Sequence, residues 1–84
     1  MNAPLKLYVK TWCPWCVRAR EWLDSRGFQY TLIDVENSRA DYDDMIRISG
    51  QRLTPTLLTV DGLVLPDFGP AELEEFVKEH SLHP

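Results

Sequence analysis

The sequence predicts one α/β domain in which three helices flank a four-stranded mixed sheet, in the order β-α-β-α-β-β-α. Apolar residues recur with the two-residue period of strands and with helical spacing in turn along the chain. A strand–helix–strand unit at the start implies parallel pairing, whereas Asp61-Gly62 between two apolar runs predicts an antiparallel hairpin. The 84 residues leave room for a single domain, residues 1–84, with one core.

The first half of the chain supplies the strand–helix–strand unit. Residues 5–9 alternate apolar and polar or aromatic side chains, which predicts a strand with two distinct faces. Pro14 suits the first position of a helix, and helical spacing continues to residue 26, where Gly27 offers a left-handed cap. Residues 30–35 are rich in β-branched and aromatic side chains and predict the second strand.

The second half supplies a helix, a hairpin and a last helix. Ser38, with an acidic residue three positions later, is a helix start, and Gly50 is the end. We expect this helix to bury Tyr42, Met45, Ile46 and Ser49. Residues 56–60 and 63–65 are the hairpin strands, joined by a tight primed turn at Asp61-Gly62. Gly69-Pro70 opens the last helix, with Glu72 near the positive end of its dipole and an inward face formed by Leu73, Phe76, Val77 and His80.

Composition and charge exclude several classes of function. A net charge of -4 argues against a surface that holds nucleic acid phosphates, which needs clustered Lys and Arg. No apolar run is long enough to span a membrane. Residues 5–9 alternate instead of forming the apolar run of a secretory signal, so we expect a cytoplasmic protein. We also expect a monomer.

The motif Cys13-Pro14-Trp15-Cys16 carries the chemistry. It lies where the first strand meets the first helix, so Cys13 is predicted at the helix N-cap and Cys16 one turn inside. Unpaired N–H groups and the helix dipole favour a thiolate at Cys13, with Lys10 as a nearby cation. Pro14 and the helix junction place Cys13 at the surface, so we predict that Cys13 is the nucleophile and that Cys16, more buried, is the resolving thiol.

Two other interpretations of the cysteine pair are weaker. A disulfide between positions 13 and 16 closes too short a loop to stabilise the fold much. A zinc site needs two further ligands, for which only His80 and His83 are available, so no metal is predicted.

Trp12 and Trp15 flank the nucleophile and are predicted to form an apolar docking patch around Pro14, whereas Trp22 is assigned to the core.

Three stretches together resemble the glutaredoxin family, which has the thioredoxin fold. They are KTWCPWC at residues 10–16, RLTP at 52–55 and VDG at 60–62. The resemblance implies that Cys13 is the nucleophile and that Thr54 and Pro55, with a cis peptide bond between them, line a glutathione groove. It also implies that Lys10 and Arg52 bind carboxylate groups.

The chain departs from the family pattern after its fourth strand. Glutaredoxins usually carry a Gly-Gly pair and a polar or acidic residue there, which hold the γ-glutamyl end of glutathione, whereas this chain reads LPDFGP at residues 65–70. Asp67 could repel the carboxylate of glutathione. Phe68 and Pro70 resemble the glutaredoxin-like electron donors of ribonucleotide reductase, which thioredoxin reductase recharges. Glutathione and thioredoxin reductase are therefore both candidate electron sources.

The sequence thus predicts a dithiol oxidoreductase with no bound cofactor and with glutathione as a candidate cosubstrate. Its expected substrates are protein disulfides or glutathione mixed disulfides. One alternative is a dedicated electron donor to a single reductase enzyme, with specificity set by Trp12, Trp15 and Phe68. Another is a carrier in which two subunits share an iron–sulfur cluster through Cys13 thiolates and glutathione; Pro14 argues against it.

Overall fold

A computed structural model describes residues 5–84 and has the predicted order of elements. The strands and helices are β1 (Leu5–Val9), α1 (Pro14–Ser25), β2 (Tyr30–Asp34), α2 (Arg39–Ser49), β3 (Thr56–Leu58), β4 (Val64–Pro66) and α3 (Pro70–Glu79). The sheet order is β2-β1-β3-β4. The β1–β2 pair is parallel and the β3–β4 hairpin is antiparallel, as predicted, and β1 also pairs with β3 in antiparallel orientation.

The central strand β1 separates two apolar clusters because successive side chains of a strand point to opposite faces. Leu7 and Val9 belong to the larger cluster, with Leu23 of α1 and Leu73 of α3. Tyr8 points the other way and packs with Val35 and with Met45 of α2. The sheet therefore lies between α1 and α3 on one side and α2 on the other.

Helix α2 has the predicted ends and a slightly different inward face. The Ser38 hydroxyl accepts a hydrogen bond from the Asp41 N–H at 3.2 Å, and Gly50 ends the helix in the left-handed region with φ of 71°. Ile48, rather than the predicted Ile46, joins Met45 in the smaller cluster. Position 48 lies three residues beyond Met45, so both side chains point to the same face of the helix.

The hairpin differs from the prediction in the length of its loop. Thr59 N–H donates to the Leu63 carbonyl at 2.9 Å, and Gly62 N–H donates back to the Thr59 carbonyl at 3.1 Å. Three residues therefore form the loop, and only Gly62 takes a positive φ, of 88°. The predicted two-residue primed turn is wrong, and both strands are three residues long.

None of the helices in residues 5–84 combines the length and the hydropathy that crossing a bilayer requires.

Candidate active site

Cys13 occupies the N-cap of α1, as the sequence predicts. Its backbone is extended, with φ of -79° and ψ of 116°, and its carbonyl accepts the first helical hydrogen bond from Val17 N–H at 3.1 Å. The Cys13 sulfur accepts a hydrogen bond from the Cys16 N–H at 3.3 Å, in the way that a Ser or Asp oxygen does at other helix starts. Pro14 follows at the first helical position, where a missing N–H costs no hydrogen bond.

Both cysteines are buried, and Cys13 is less exposed than the sequence suggested. Cys13 is 7% exposed and Cys16 is 2% exposed, so the predicted order of burial is correct. The start of α1 was expected to place Cys13 at the surface. The chain before β3 covers much of it instead, and the Cys13 thiol lies 3.7 Å from the Thr54 carbonyl oxygen. Only a small fraction of Cys13 is therefore open to a disulfide substrate.

The two thiols have opposite pKa shifts. Burial raises the pKa of Cys13, but hydrogen bonds from the Cys16 side chain and N–H, the Thr54 side chain and the Trp15 N–H outweigh it and leave the pKa below its ordinary value. Burial, followed by the hydrogen bond to Cys13, raises the pKa of Cys16 to about 11. The arrangement therefore favours ionisation of Cys13 over that of Cys16, which keeps its proton at neutral pH.

The Thr54-Pro55 peptide bond is cis, as the family resemblance implied. Pro55 is buried, and its carbonyl accepts a hydrogen bond from the Asp67 N–H at 2.9 Å, which joins the segment before β3 to the segment after β4. Thr54 is half-buried beside Cys13, while Arg52 is exposed. The structure thus brings Thr54 and Pro55 to the nucleophile, and the binding role of Arg52 stays a prediction.

Trp12 is exposed and held in place on the side of the site that faces α2. The side chain is 67% exposed, yet its indole N–H donates to the Glu36 carboxylate at 2.6 Å. The Lys10 ammonium lies 5.6 Å from the centre of the Trp12 ring and 5.9 Å from that of Tyr42. An open pocket adjoins them, lined by Lys10, Val35, Glu36, Arg39 and Tyr42. The predicted carboxylate-binding role of Lys10 stays a prediction.

Trp15 covers the start of α3. It is 51% exposed, and the Arg18 guanidinium stacks on the ring at 4.7 Å from its centre. The ring lies so close to Gly69 that a Cβ at that position would be 3.1 Å from ring atom Cζ3. Trp22, in contrast, packs against the larger apolar cluster and stacks on Phe28, as predicted.

The segment between β4 and α3 corrects one predicted site residue. Phe68 is 3% exposed and belongs to the larger apolar cluster, so its side chain is not on the surface that a partner would touch. Asp67 is exposed and has a left-handed φ of 48°. The Glu72 carboxylate accepts a hydrogen bond from the Gly69 N–H at 2.9 Å. The first turn of α3 therefore carries its own anion.

Sequence reasoning missed Glu36. The hydrogen bond to Trp12 joins residues 24 positions apart, and no local pattern indicates such a contact.

As for metals, residues 5–84 contain no group of three or more His, Cys, Asp or Glu side chains placed to hold one ion. His80 is half-buried, and its ring packs edge-on against Phe76 at 4.6 Å.

Comparison with known proteins agrees with this site. The family model described as Glutaredoxin matches residues 5–64, which include both cysteines and the cis proline. The chain is 30% identical over 66 residues to a putative glutaredoxin of Mycobacterium tuberculosis, which covers 77% of this chain and 79% of that protein.

Solved structures show the same fold. The crystal structure of a thioredoxin-like protein superposes with a TM-score of 0.76 at 27% identity, covering 84% of this chain and 96% of that chain. The glutaredoxin-like protein NrdH-redoxin from Escherichia coli superposes with a TM-score of 0.74 at 23% identity, covering 98% of this chain and 97% of that chain. The three-helix, four-stranded architecture is thus that of the thioredoxin fold.

Proposed function

The chain belongs to the glutaredoxin family and has a thiol–disulfide redox function, and we propose that it reduces disulfides with Cys13 as nucleophile and Cys16 as resolving thiol. The observation that supports this assignment of roles is the opposite pKa shift of the two thiols. A nucleophile must be ionised at working pH, whereas a resolving thiol must wait until a mixed disulfide has formed.

The first step is attack by the Cys13 thiolate on one sulfur of the target disulfide. A bond forms between Cys13 and that sulfur, and the second target sulfur leaves as a thiolate. The negative charge then passes from the Cys13 sulfur, at the start of α1, to the sulfur that leaves. The hydrogen bonds that lower the pKa of Cys13 stabilise its thiolate before attack. Because these contacts are not covalent, they leave the sulfur free to form a bond with the target.

The second step is attack by Cys16 on the Cys13 sulfur of the mixed disulfide. Cys16 loses its proton, a Cys13–Cys16 disulfide forms, and the remaining target sulfur leaves reduced. The target gains two electrons and the pair loses them. The pKa of about 11 sets a barrier to this step. Part of that barrier disappears once Cys13 is neutral, because its hydrogen bond and its charge both contribute to the raised pKa.

Protein disulfides are the proposed main substrates. Large apolar side chains lie exposed around a site whose nucleophile is 7% exposed, among them Trp12, Trp15 and Leu53 at 67%, 51% and 55% exposure. Such side chains fit a polypeptide segment better than a small hydrophilic thiol. Glutathione mixed disulfides on proteins meet the same requirement, since the protein part would contact these residues.

We further propose that thioredoxin reductase, rather than glutathione, supplies the electrons that reduce the oxidised protein. One observation favours this choice. In the family pattern the γ-glutamyl carboxylate of glutathione binds where α3 begins. Here Glu72 already accepts the Gly69 N–H, and Asp67 adds a second carboxyl group nearby. We propose a cytoplasmic location, because either reductant operates where the thiol pool is kept reduced.

A coupled assay with matched cysteine variants tests the proposal. The reduced protein is given a protein disulfide and recharged either by glutathione with glutathione reductase or by thioredoxin reductase. We expect turnover with thioredoxin reductase to exceed that with glutathione. Cys13→Ser should lose more than about 99% of turnover, as removal of a nucleophile does.

The companion variant defines the resolving role. Cys16→Ser should accumulate a mixed disulfide between Cys13 and the substrate, detectable by intact-mass spectrometry, because nothing displaces the bound target. A Cys13→Ser protein that still reduces the substrate would overturn the assignment of roles. Faster turnover with glutathione than with thioredoxin reductase would overturn only the choice of electron source.

A further inference from the structure

The Trp12 side chain combines wide exposure with a fixed position. An exposed tryptophan ordinarily samples several rotamers, and ordering it on binding costs free energy. Here the indole N–H donates to Glu36 at 2.6 Å, and the Lys10 ammonium lies over the ring face. The ring is therefore ordered before any partner arrives.

The anchor that holds Trp12 is itself fixed. Glu36 N–H donates to the Asp34 carboxylate at 2.9 Å, and the Asn37 side-chain amide donates to the other oxygen of that carboxylate. Val35 N–H donates to the Val9 carbonyl at 3.0 Å, which fastens the same loop to the end of β1. Glu36 thus extends from a braced loop.

Trp12 also lies in the turn that ends at the nucleophile. Cys13 N–H donates to the Lys10 carbonyl at 3.1 Å, so residues 10–13 form a β-turn with Trp12 at its third position. A contact that fixes Trp12 therefore fixes an exposed ring on the residue next to the nucleophile.

We propose that Glu36 is a positioning residue for substrate binding: it holds the Trp12 ring as a preformed docking wall for the polypeptide that flanks a target disulfide. This inference rests on the proposed function. A preformed wall lowers the entropic cost of binding, so its loss raises KM more than it lowers kcat. A small disulfide without flanking residues has little contact with Trp12 and gains little from the wall.

Kinetics on two substrates test this role. Glu36→Ala should raise the KM for a protein disulfide about fivefold relative to the KM for a small organic disulfide, the effect expected when the binding step must order one side chain at a cost of about 1 kcal/mol. Glu36→Gln keeps an acceptor oxygen and should restore the ratio to within about twofold of the original. Glu75→Ala removes an acidic charge from the exposed side of α3 and is the matched control.

A double-mutant cycle separates the hydrogen bond from the charge of Glu36. Trp12→Phe keeps an aromatic ring but has no N–H, and it should raise the KM ratio as Glu36→Ala does. Combining the two should then add nothing further. An additive double variant, or a Gln variant that behaves like Ala, would overturn the positioning role, because the effect would then come from charge or from an unrelated contact.

The outcomes distinguish this inference from the proposed function. If the unaltered protein reduces neither substrate, the proposed function fails. If it reduces both and Glu36→Ala leaves the ratio of the two KM values unchanged, only the role of Glu36 fails. The Trp12 indole N–H signal in NMR gives a second readout, since hydrogen exchange of this proton should accelerate in Glu36→Ala.

Discussion

Helices α1 and α3 begin beside each other, since the Trp15 ring of α1 lies against Gly69 at the start of α3. Both starts present unpaired N–H groups and the positive end of a dipole. At α1 the group that caps them is the Cys13 sulfur, whose N–H contact measures 3.3 Å. At α3 it is the Glu72 carboxylate, which accepts the Gly69 N–H at 2.9 Å.

The two helix starts have different chemistry because their caps differ. A sulfur that ionises at the start of α1 becomes a nucleophile and can leave its cap to form a covalent bond. A glutamate at the start of α3 satisfies the N–H and places a negative charge there, which opposes the approach of another anion. A helix start thus becomes a reactive site only when its capping atom can react.

The largest expected effect concerns the reactivity of the two thiols. A thiol with a pKa of about 9 is about 1% ionised at pH 7, and one of about 11 is about 0.01% ionised. The more basic thiolate is intrinsically the better nucleophile, so roughly a tenfold advantage for Cys13 remains, and its lowered pKa increases it. Each substitution also removes the deleted cysteine's contribution to the remaining pKa, so we expect Cys16→Ser to react with iodoacetamide at pH 7 several times faster than Cys13→Ser.

Equal alkylation rates in these two variants would show that the start of α1 does not make Cys13 more reactive than Cys16, which lies inside the helix. Each variant retains one cysteine, so the measurement needs no assignment of which thiol has reacted.

The next effect concerns the contact that joins the two helix starts. Gly69→Ala would place a Cβ 3.1 Å from the Trp15 ring, which must then move. The backbone of Gly69 has φ of -113°, which alanine also adopts, so the penalty is steric. We expect the free energy of unfolding to fall by about 1 kcal/mol, measured by urea denaturation.

The same substitution made in a Trp15→Ala background is its control. Without the indole ring, Gly69→Ala should cost little stability. A full penalty in that background would show that the start of α3 needs glycine for some reason other than its contact with α1.

The smallest effect concerns the cap of α3. Glu72→Ala frees the Gly69 N–H and should lower the free energy of unfolding by about 0.5 kcal/mol, in line with the loss of a weak helix cap. It should also increase turnover with glutathione about twofold, because a negative charge leaves the start of the helix. Ser38→Ala, which removes the cap of α2, is the matched control and should reduce stability without changing the use of glutathione.

If turnover of Glu72→Ala with glutathione is unchanged or slower, the Glu72 carboxylate does not disfavour glutathione as the reductant. The contrast between the two helix starts would then concern stability alone.

Local patterns in the sequence predicted the fold and the centre of the site. The position of Pro14 after Cys13 fixed the start of α1, and Gly50 and Ser38 marked the ends of α2, because caps follow from the chemistry of one or two residues. The parallel β1–β2 pair and the antiparallel β3–β4 pair followed from the strand–helix–strand unit and the hairpin. These features depend on neighbours in sequence, so they can be inferred without coordinates.

Features set by tertiary packing were harder to predict. In the three-residue hairpin loop the Thr59 hydroxyl accepts the Leu63 N–H at 3.0 Å, and the Asp61-Gly62 pair fits either loop length. Phe68 was assigned to a docking surface from family resemblance, yet it fills the core under α3. Glu36 reaches Trp12 across 24 positions, and residue type alone does not indicate such a pair.

The ionisation of Cys13 at the start of α1 is the central claim, and it can be measured at each thiol separately. The Cβ chemical shifts of Cys13 and Cys16 in the reduced protein report the two ionisations when followed by NMR across pH. We predict a Cys13 transition below the ordinary pKa of a cysteine and a Cys16 transition at about 11. A Cys13 transition at or above the ordinary value, or a Cys16 transition below that of Cys13, would contradict the account.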